Sequence, residues 1–133
     1  MPTAIARRRE GYTHDVEIDG HTVVVDEPEA DGGTNLGPSP SRLLACALAS
    51  CTAITIEMYA NRKGWDLGPV EVAAELEYGE ASLPKRFEVT IRVAKDLSEE
   101  QLERLRVIAG KCPVHRALSN EVEVEIRDRI EQV

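Results

Sequence analysis

The chain has 133 residues, which suits a single domain spanning residues 1–133, and its 42% hydrophobic and 30% charged residues are typical of a folded protein. The formal net charge of −8 repels phosphate backbones, so nucleic acid is not an expected partner. Aromatic residues make up only 4%, and the core is therefore expected to consist of Val, Leu, Ile and Ala.

The N-terminal segment carries three successive arginines, Arg7, Arg8 and Arg9, which form the one basic cluster of the sequence. Charge runs near a terminus are usually solvated, so this pattern predicts an exposed tail. The segment also lacks the apolar stretch of a signal peptide, and the cysteine count of three is odd. We therefore expect a cytoplasmic protein whose cysteines remain reduced.

A β-hairpin is predicted at residues 12–26. The sequence Asp19-Gly20 between its two strands is typical of a two-residue turn in which both positions have positive φ. The following loop, residues 27–39, is rich in glycine and proline, and its Gly32-Gly33 lacks the spacing of a nucleotide-binding fingerprint. We interpret this segment as a crossover loop.

A long helix is predicted from Pro40 to Lys63. Ser39 can cap it, Pro40 suits the first helical position, and Gly64 ends it. Residues 43–60 include several hydroxyl groups and one glutamate, which are too polar for a membrane span, so no membrane interaction is expected. Because the first half of the helix is apolar on nearly all sides, a sheet or a second subunit must cover it.

Two strands are predicted next, at residues 70–78 and 87–95, because apolar and charged residues alternate there as in an antiparallel sheet with one exposed face. Ser98 and Gln101 then form the capping box of a second helix, which ends at Gly110.

A short helix at residues 113–118 and a last alternating strand at residues 122–126 complete the chain. The sequence thus predicts an α+β fold in the order β-β-α-β-β-α-α-β, with the strands packed on the long central helix.

The candidate chemical residues are Cys46, Cys51 and Cys112. On one helix, Cys46 and Cys51 point about 140° apart and cannot bond to each other, whereas Cys112 could pair with either. The apolar neighbours of Cys46 favour a buried, inert thiol. Cys112 precedes Pro113 and can therefore cap the short helix. The free N–H groups at the start of a helix favour a thiolate, so this local position predicts that Cys112 is a more acidic thiol than Cys51.

Two interpretations of His115 remain open. It lies three residues after Cys112 and could donate or accept a proton there, or it could be a polar residue on a short exposed turn. The spacing Cys112-x-x-His115, with Cys51 as a third ligand, also allows a zinc site, although the sequence contains no second paired motif.

The sequence resembles the OsmC/Ohr family, the osmotically inducible and organic hydroperoxide resistance proteins. The resemblance covers roughly residues 12–127, and its most specific parts are Gly37-Pro38-Ser39-Pro40, residues 43–53 around Cys51 and residues 111–116 around Cys112. It implies the fold of that family, an intertwined homodimer whose active sites use both subunits, and no cofactor or metal.

The resemblance also implies a thiol peroxidase acting on organic hydroperoxides. Cys51 matches the peroxidatic cysteine, whose thiolate attacks the O–O bond and becomes a sulfenic acid. Cys112 matches the resolving cysteine, which forms a disulfide with Cys51 that an external dithiol reduces.

The sequence departs from this resemblance beside the helix-opening proline. The peroxidases of the family place there an acidic residue that helps to hold an arginine against the reactive thiol, whereas this chain has Ser41 followed by Arg42. The resemblance is therefore closer to the broad OsmC-like branch, and Arg9, Arg42 and Arg116 are candidates for the activating arginine.

An alternative function from another class is a non-catalytic dimeric protein that binds a small lipid-like ligand in an apolar cleft. In that case the thiols would be packing residues.

Overall fold

The structure, a computed structural model, describes all 133 residues and has the predicted α+β class. Three strands form the first sheet, in the order β1 (Ile5–Glu10), β2 (Thr13–Ile18) and β3 (His21–Val25). The second sheet consists of β4 (Val70–Tyr78) and β5 (Pro84–Val93). The helices are α1 (Pro40–Lys63), α2 (Glu99–Ala109) and α3 (Pro113–Leu118). The chain divides into two compact units, residues 1–46 with 75–87 and residues 47–74 with 88–133.

The hairpin of β2 and β3 confirms the prediction from Asp19-Gly20. These two residues have φ of 48° and 80°, and the antiparallel pairs run from Ile18 with His21 to His14 with Val25. Because both turn residues tolerate positive φ, the turn matches the twist of the strands that it joins.

The N-terminal arginine run is exposed as predicted, but the prediction of a tail is wrong, because the run forms β1 and pairs with β2. Acidic residues across the ladder explain the pairing: Arg7 lies 3.2 Å from Glu17 and Arg9 lies 2.6 Å from Asp15. Opposite charges on neighbouring strands favour this register. The arginines are visible in the sequence, but only the pairing of β1 with β2 brings them next to the acidic residues of β2.

The predicted last strand is also wrong within this chain. Residues 122–126 are not in a strand, and Val122, Val124 and Ile126 are 36%, 62% and 80% exposed. An alternating pattern needs a neighbouring backbone to bond to, and no strand of the chain pairs with this segment. The observed order is therefore β-β-β-α-β-β-α-α.

The first unit is organised around the buried carboxylate of Asp26, which directly follows β3. The Asp26 Oδ2 atom accepts hydrogen bonds from the Thr13 hydroxyl at 2.7 Å, the Thr34 hydroxyl at 2.8 Å and the Leu36 N–H at 3.2 Å. Its Oδ1 atom accepts one from the Glu27 N–H at 2.7 Å. Burial alone raises the pKa of Asp26, but these hydrogen bonds outweigh burial and hold the pKa well below its usual range.

The same network fixes the loop that leads into α1. A Cβ added to Gly33 would overlap the Glu27 carbonyl oxygen, and one added to Gly37 would overlap that of Val24. Only glycine fits at positions 33 and 37, because any other residue would bring its Cβ atom into the neighbouring backbone. The loop passes the backbone of Glu27 and Val24 too closely for any side chain at these two positions.

The core of the second unit packs α1 against α2. Its buried residues are Ile56, Ala60, Leu67, Leu105, Ile108 and Ala109. The predicted capping box of α2 is confirmed, since the Ser98 hydroxyl accepts from the Gln101 N–H at 3.1 Å and the Gln101 side chain accepts from the Ser98 N–H at 2.9 Å. This cap fixes where α2 begins against the core.

Only one stripe of α1 is buried within the chain, namely Leu48, Thr52, Ile56 and Ala60. Other apolar side chains of the helix stay accessible, including Ile54 at 55% and Met58 at 61% exposure. By length and composition alone α1 could cross a membrane, a test that the core helix of a soluble protein also passes. The expectation that the helix is covered is thus met on one face only.

Candidate functional site

The site forms where α1 and α3 bring two thiols together in the second unit. Cys51 lies in α1 and is half-buried, whereas Cys112 is the N-cap residue of α3 and is fully buried. The Cys51 thiol interacts with the Cys112 thiol and raises its pKa. No disulfide links them, so the structure shows the reduced, dithiol form.

The local geometry of Cys112 follows the prediction from Cys112-Pro113. Pro113 occupies the start of α3, and the Cys112 Sγ atom accepts a hydrogen bond from the His115 N–H at 3.4 Å. A backbone N–H aimed at sulfur favours the thiolate form, as expected at a helix N-terminus.

The expectation that Cys112 is the more acidic thiol is nevertheless not met. Burial raises the pKa of Cys112, and the contact with Cys51 raises it further, against the smaller opposite effect of the His115 N–H. A thiol withdrawn from water resists ionisation because the charged form loses its hydration. At neutral pH Cys112 therefore keeps its proton.

Cys46 lies apart from this pair and is exposed, which corrects the expectation of a buried thiol. The reason is its position on the helix, since residue 46 points about 160° away from the buried residue Leu48. Apolar neighbours along the sequence do not establish which face of α1 is covered.

Two buried polar atoms in this unit have no hydrogen-bond partner, the Thr52 hydroxyl and the Nδ1 atom of His115. Thr52 follows Cys51 in α1 and is 1% exposed, and His115 is half-buried in α3. Buried polar groups are nearly always paired in folded proteins, so each unpaired one calls for an explanation. Both belong to residues next to the dithiol in sequence or by contact.

Residues 32–127, most of the chain, match the family described as OsmC-like protein. The chain belongs to the OsmC-like family. Members of this family are associated with peroxidase activity.

The chain is also similar to individual proteins. An uncharacterized protein of Haloferax volcanii is 26% identical over 100 residues, which are 74% of this chain and 76% of that protein. The solved OsmC-like protein of Mycoplasma pneumoniae matches with a TM-score of 0.78 and 17% identity, covering 90% of this chain and 87% of the other. The organic hydroperoxide resistance protein OhrB of Bacillus subtilis matches with a TM-score of 0.56 and 25% identity, covering 86% and 88%.

In this OsmC-like chain, two of the three candidate arginines contact carboxylates. Arg9 lies 2.6 Å from Asp15, and Arg116 lies 3.2 Å from Glu121. Arg42 forms no ion pair within the chain and lines a cavity of about 390 Å³ in the first unit. The structure thus brings together Cys51, Cys112 and His115 from the predicted set, and it places Arg9 and Arg42 in the other compact unit.

Ser41 stands where the family resemblance implies an acidic residue, and the structure shows what it contacts. Its hydroxyl forms a hydrogen bond of 2.7 Å with the Tyr78 hydroxyl, and both residues line the same cavity as Arg42. A neutral hydroxyl pair therefore occupies the position where the family resemblance implies a carboxylate beside an arginine.

The sequence spacing of Cys112 and His115, with Cys51 as a third ligand, allowed a zinc site, but the three side chains are not arranged as metal ligands. No group of three or more His, Cys, Asp or Glu residues is arranged to hold a metal ion. The hydrogen bond that the structure shows among these residues runs from the His115 backbone N–H to the Cys112 sulfur.

The sequence analysis did not single out Thr52 or Asp26. The sequence signal for Thr52 is weak, a hydroxyl residue directly after a cysteine in an apolar helix. Asp26 is one carboxylate among many, and only the fold shows that four donors converge on it.

Proposed function

We propose that this OsmC-like protein is a cysteine-based peroxidase that reduces organic hydroperoxides to alcohols. The observation that carries the proposal is that the half-buried thiol of Cys51 lies close enough to the fully buried thiol of Cys112 to raise its pKa. A substrate can reach the first sulfur but not the second, which suits an attacking thiol and a resolving thiol. Membership of a family associated with peroxidase activity supports the same function.

The proposed cycle has three balanced steps. The Cys51 thiolate attacks one peroxide oxygen, the O–O bond breaks, and the alkoxide takes a proton and leaves as the alcohol, so that Cys51 becomes a sulfenic acid. The Cys112 sulfur then attacks the Cys51 sulfur, and hydroxide leaves with a proton as water. An external dithiol reduces the resulting disulfide and is itself oxidised to a disulfide. Because such reductants operate in reducing compartments, we propose a cytoplasmic location.

The helix face around Cys51 supports an organic substrate. Ile54 and Met58 follow Cys51 at three and seven residues, so all three lie on one side of α1, and the two apolar side chains are 55% and 61% exposed. Such a face favours an alkyl group over hydrogen peroxide because contact removes apolar surface from water.

The proposal includes a homodimer whose active sites use both copies. Support comes from the accessible apolar side chains of α1 and from residues 122–126, whose alternating pattern lacks a strand to pair with in the chain. Arg42, which has no ion pair of its own, is our candidate for the cation that the second copy brings to Cys51. Light scattering after size-exclusion chromatography should give about twice the mass of 14.7 kDa, and a monomer mass at micromolar concentration would contradict this part.

The decisive experiment measures cumene hydroperoxide consumption with a dithiol reductant. Cys51→Ser should abolish turnover because it removes the attacking sulfur. Cys112→Ser should reduce one equivalent of peroxide per subunit and then hold a sulfenic acid that a dione reagent can trap. Cys46→Ser is the matched control, and it should keep wild-type turnover because Cys46 lies outside the dithiol contact.

Undiminished multiple turnover in Cys51→Ser would overturn the proposed mechanism. Thiol titration distinguishes the binding-protein alternative. One equivalent of peroxide should remove two thiols per chain quickly in a peroxidase, whereas a binding protein would retain all three.

A further inference from the structure

We propose that a cluster of three exposed cations on α1 and α2 is the docking site for an acidic protein that carries the reducing dithiol. The cations are Arg62 and Lys63 at the end of α1 and Arg104 in α2, and together with Tyr59 they are called the cation cluster. The proposal rests on the proposed peroxidase function and concerns only its third step, in which an external dithiol reduces the disulfide.

The cation cluster is built around the half-buried ring of Tyr59. The Arg104 Nε atom donates a hydrogen bond of 3.0 Å to the Tyr59 hydroxyl, and the Arg104 Cζ atom lies 5.6 Å from the centroid of the Tyr59 ring. The Lys63 Nζ atom lies 5.7 Å from the same centroid. Because positive charges are attracted to aromatic faces, this ring keeps cations from two helices close together.

Trp65 supports the ring of Tyr59. The two rings meet edge to face, with their centroids 5.5 Å apart, and Trp65 is half-buried. Edge-to-face pairs are favourable contacts between aromatic side chains. The cations are therefore held on an aromatic platform, unlike isolated surface lysines.

The positive charge of the cation cluster is not neutralised by carboxylates of the chain. None of its three cations forms an ion pair. Two carboxylates close by in sequence are engaged elsewhere, since Glu103 pairs with Arg106 at 2.5 Å and Asp66 lies 3.5 Å from Lys95. The chain thus has a net charge of −8 and, at this place, three cations that remain available to an acidic partner.

The ionisation of Tyr59 agrees with this local excess of positive charge. The hydrogen bond from Arg104 lowers the pKa of Tyr59, against the opposing effect of burial. The charges of Arg104, Lys63 and Arg62 lower it further, so all three cations act at the Tyr59 hydroxyl.

The cation cluster lies on the side of α1 that carries Cys51, the more accessible of the two paired sulfurs. At 100° and 1.5 Å per residue, Arg62 is offset from Cys51 by only about 20° around the helix and lies roughly 16 Å further along it. A partner that contacts both must span that distance. A protein or a peptide does so, whereas a dithiol of a few carbon atoms does not.

The charge pattern favours an acidic partner in one orientation. An acidic protein is repelled by most of a surface with net charge −8 and is attracted at the cation cluster. Complementary charges of this kind steer encounter and fix orientation more than they add affinity. The bound partner would therefore present its dithiol along α1 toward Cys51.

The reduction balances as a thiol–disulfide exchange. One thiolate of the partner attacks the Cys51 sulfur, the disulfide breaks, and Cys112 leaves as a thiolate that takes a proton. The second thiolate of the partner then attacks the partner sulfur of the mixed disulfide and releases Cys51, which also takes a proton. Two electrons and two protons thus pass from the partner to this protein, and the partner becomes a disulfide.

The test compares two synthetic dithiol peptides as reductants. Both contain Cys-x-x-Cys, flanked by four glutamates in one peptide and by four glutamines in the other. The disulfide of the full-length protein is formed with one equivalent of cumene hydroperoxide, and the recovery of its thiols is followed. Each rate is divided by the rate of the same peptide with 2-hydroxyethyl disulfide, which corrects for intrinsic reactivity.

At low ionic strength we expect the glutamate peptide to reduce the wild-type protein about 10-fold faster than the glutamine peptide. This advantage should disappear in about 0.5 M NaCl, because salt screens exposed charges.

Lys63→Gln should slow the glutamate peptide about threefold, the effect expected from one exposed charge pair, and Arg62→Gln should act in the same way. Both variants should keep the wild-type rates with the glutamine peptide and with dithiothreitol. Lys85→Gln is the matched control, because it removes the same charge from an exposed lysine of the first unit.

Equal rates for the two peptides with the wild-type protein, or equal effects of Lys63→Gln and Lys85→Gln, would overturn the inference. A changed mass of Lys63→Gln in light scattering would also overturn it, since the cation cluster would then belong to an interface between copies of this chain. Failure of the peroxide to form any disulfide would instead refute the proposed peroxidase function, so the two failures can be told apart.

Discussion

Two buried polar centres, one in each compact unit, differ in how completely their atoms are bonded. The Asp26 carboxylate in the first unit accepts four hydrogen bonds at 2.7 to 3.2 Å. In the second unit, the Cys51 thiol raises the pKa of the buried Cys112 thiol, and two buried polar atoms, the Thr52 hydroxyl and the His115 Nδ1, have no partner.

This difference suggests separate roles for the two centres: Asp26 stabilises the fold, and the surroundings of Cys112 belong to the proposed active site. A buried carboxylate that accepts four hydrogen bonds stabilises one conformation of the loop. Unpaired buried polar atoms lower stability, and in folded proteins each one calls for an explanation such as a functional role. Stability and activity should therefore respond separately to substitutions at the two centres.

The largest effect on stability is expected from Asp26→Asn. The amide cannot accept all four hydrogen bonds, and its own N–H groups would face donors such as the Leu36 N–H. We expect a fall in Tm of roughly 10 °C, from the loss of several hydrogen bonds to a buried charge. Disulfide formation between Cys51 and Cys112 should be retained below the new Tm. Asp31→Asn, at an exposed carboxylate in the same loop region, is the control and should leave Tm nearly unchanged.

The same substitution has an expected pH dependence. Because hydrogen bonding holds the pKa of folded Asp26 well below its usual range, its stabilisation is complete above the unfolded pKa of about 3.9 and declines as pH falls below it. The gap in Tm between wild type and Asp26→Asn should thus be constant from about pH 5 to 8 and narrow under more acidic conditions. A constant gap down to pH 2 would contradict the prediction, because it would show that folding does not lower the pKa of Asp26.

The smallest but sharpest comparison uses two buried threonines. Thr13 is 2% exposed and donates to Asp26, whereas Thr52 is 1% exposed and its hydroxyl is unpaired. Thr13→Val should cost about 1.5 to 3 kcal/mol in the free energy of unfolding, because a hydrogen bond to a charged group is lost. Thr52→Val should be neutral or slightly stabilising, since no bond is lost on removing an unsatisfied hydroxyl. Equal losses in urea unfolding would contradict the distinction between the two centres.

Elements with strong local signals were predictable from the sequence. The turn at Asp19-Gly20, the capping box at Ser98 and the helix start at Cys112-Pro113 each depend on neighbours within a few residues, and the structure has all three. The two errors in strand prediction lie at opposite ends of the chain. Residues 5–10 form a strand because they pair with β2, whereas residues 122–126 do not form one because no strand pairs with them. In both cases the presence of a hydrogen-bonding neighbour, and not the local sequence pattern, decided whether a strand formed.

The site was predictable to a different extent. The motifs around Cys51 and Cys112 identified both thiols, but their contact depends on how α1 and α3 pack. The acidity of Cys112 was misjudged because a helix cap is a local feature, while burial is a tertiary one, and burial has the larger effect on the thiol.

By itself, the sequence determined the helices, the central hairpin and the two cysteines that carry the proposed chemistry, because turn residues, caps and motifs act over short distances. Only the tertiary structure decided that the arginine run forms a strand, that Cys46 is exposed while Cys112 is buried, and that His115 retains an unpaired nitrogen. The physical reason is that solvation and pairing are properties of what surrounds a residue, and residues distant in sequence provide those surroundings.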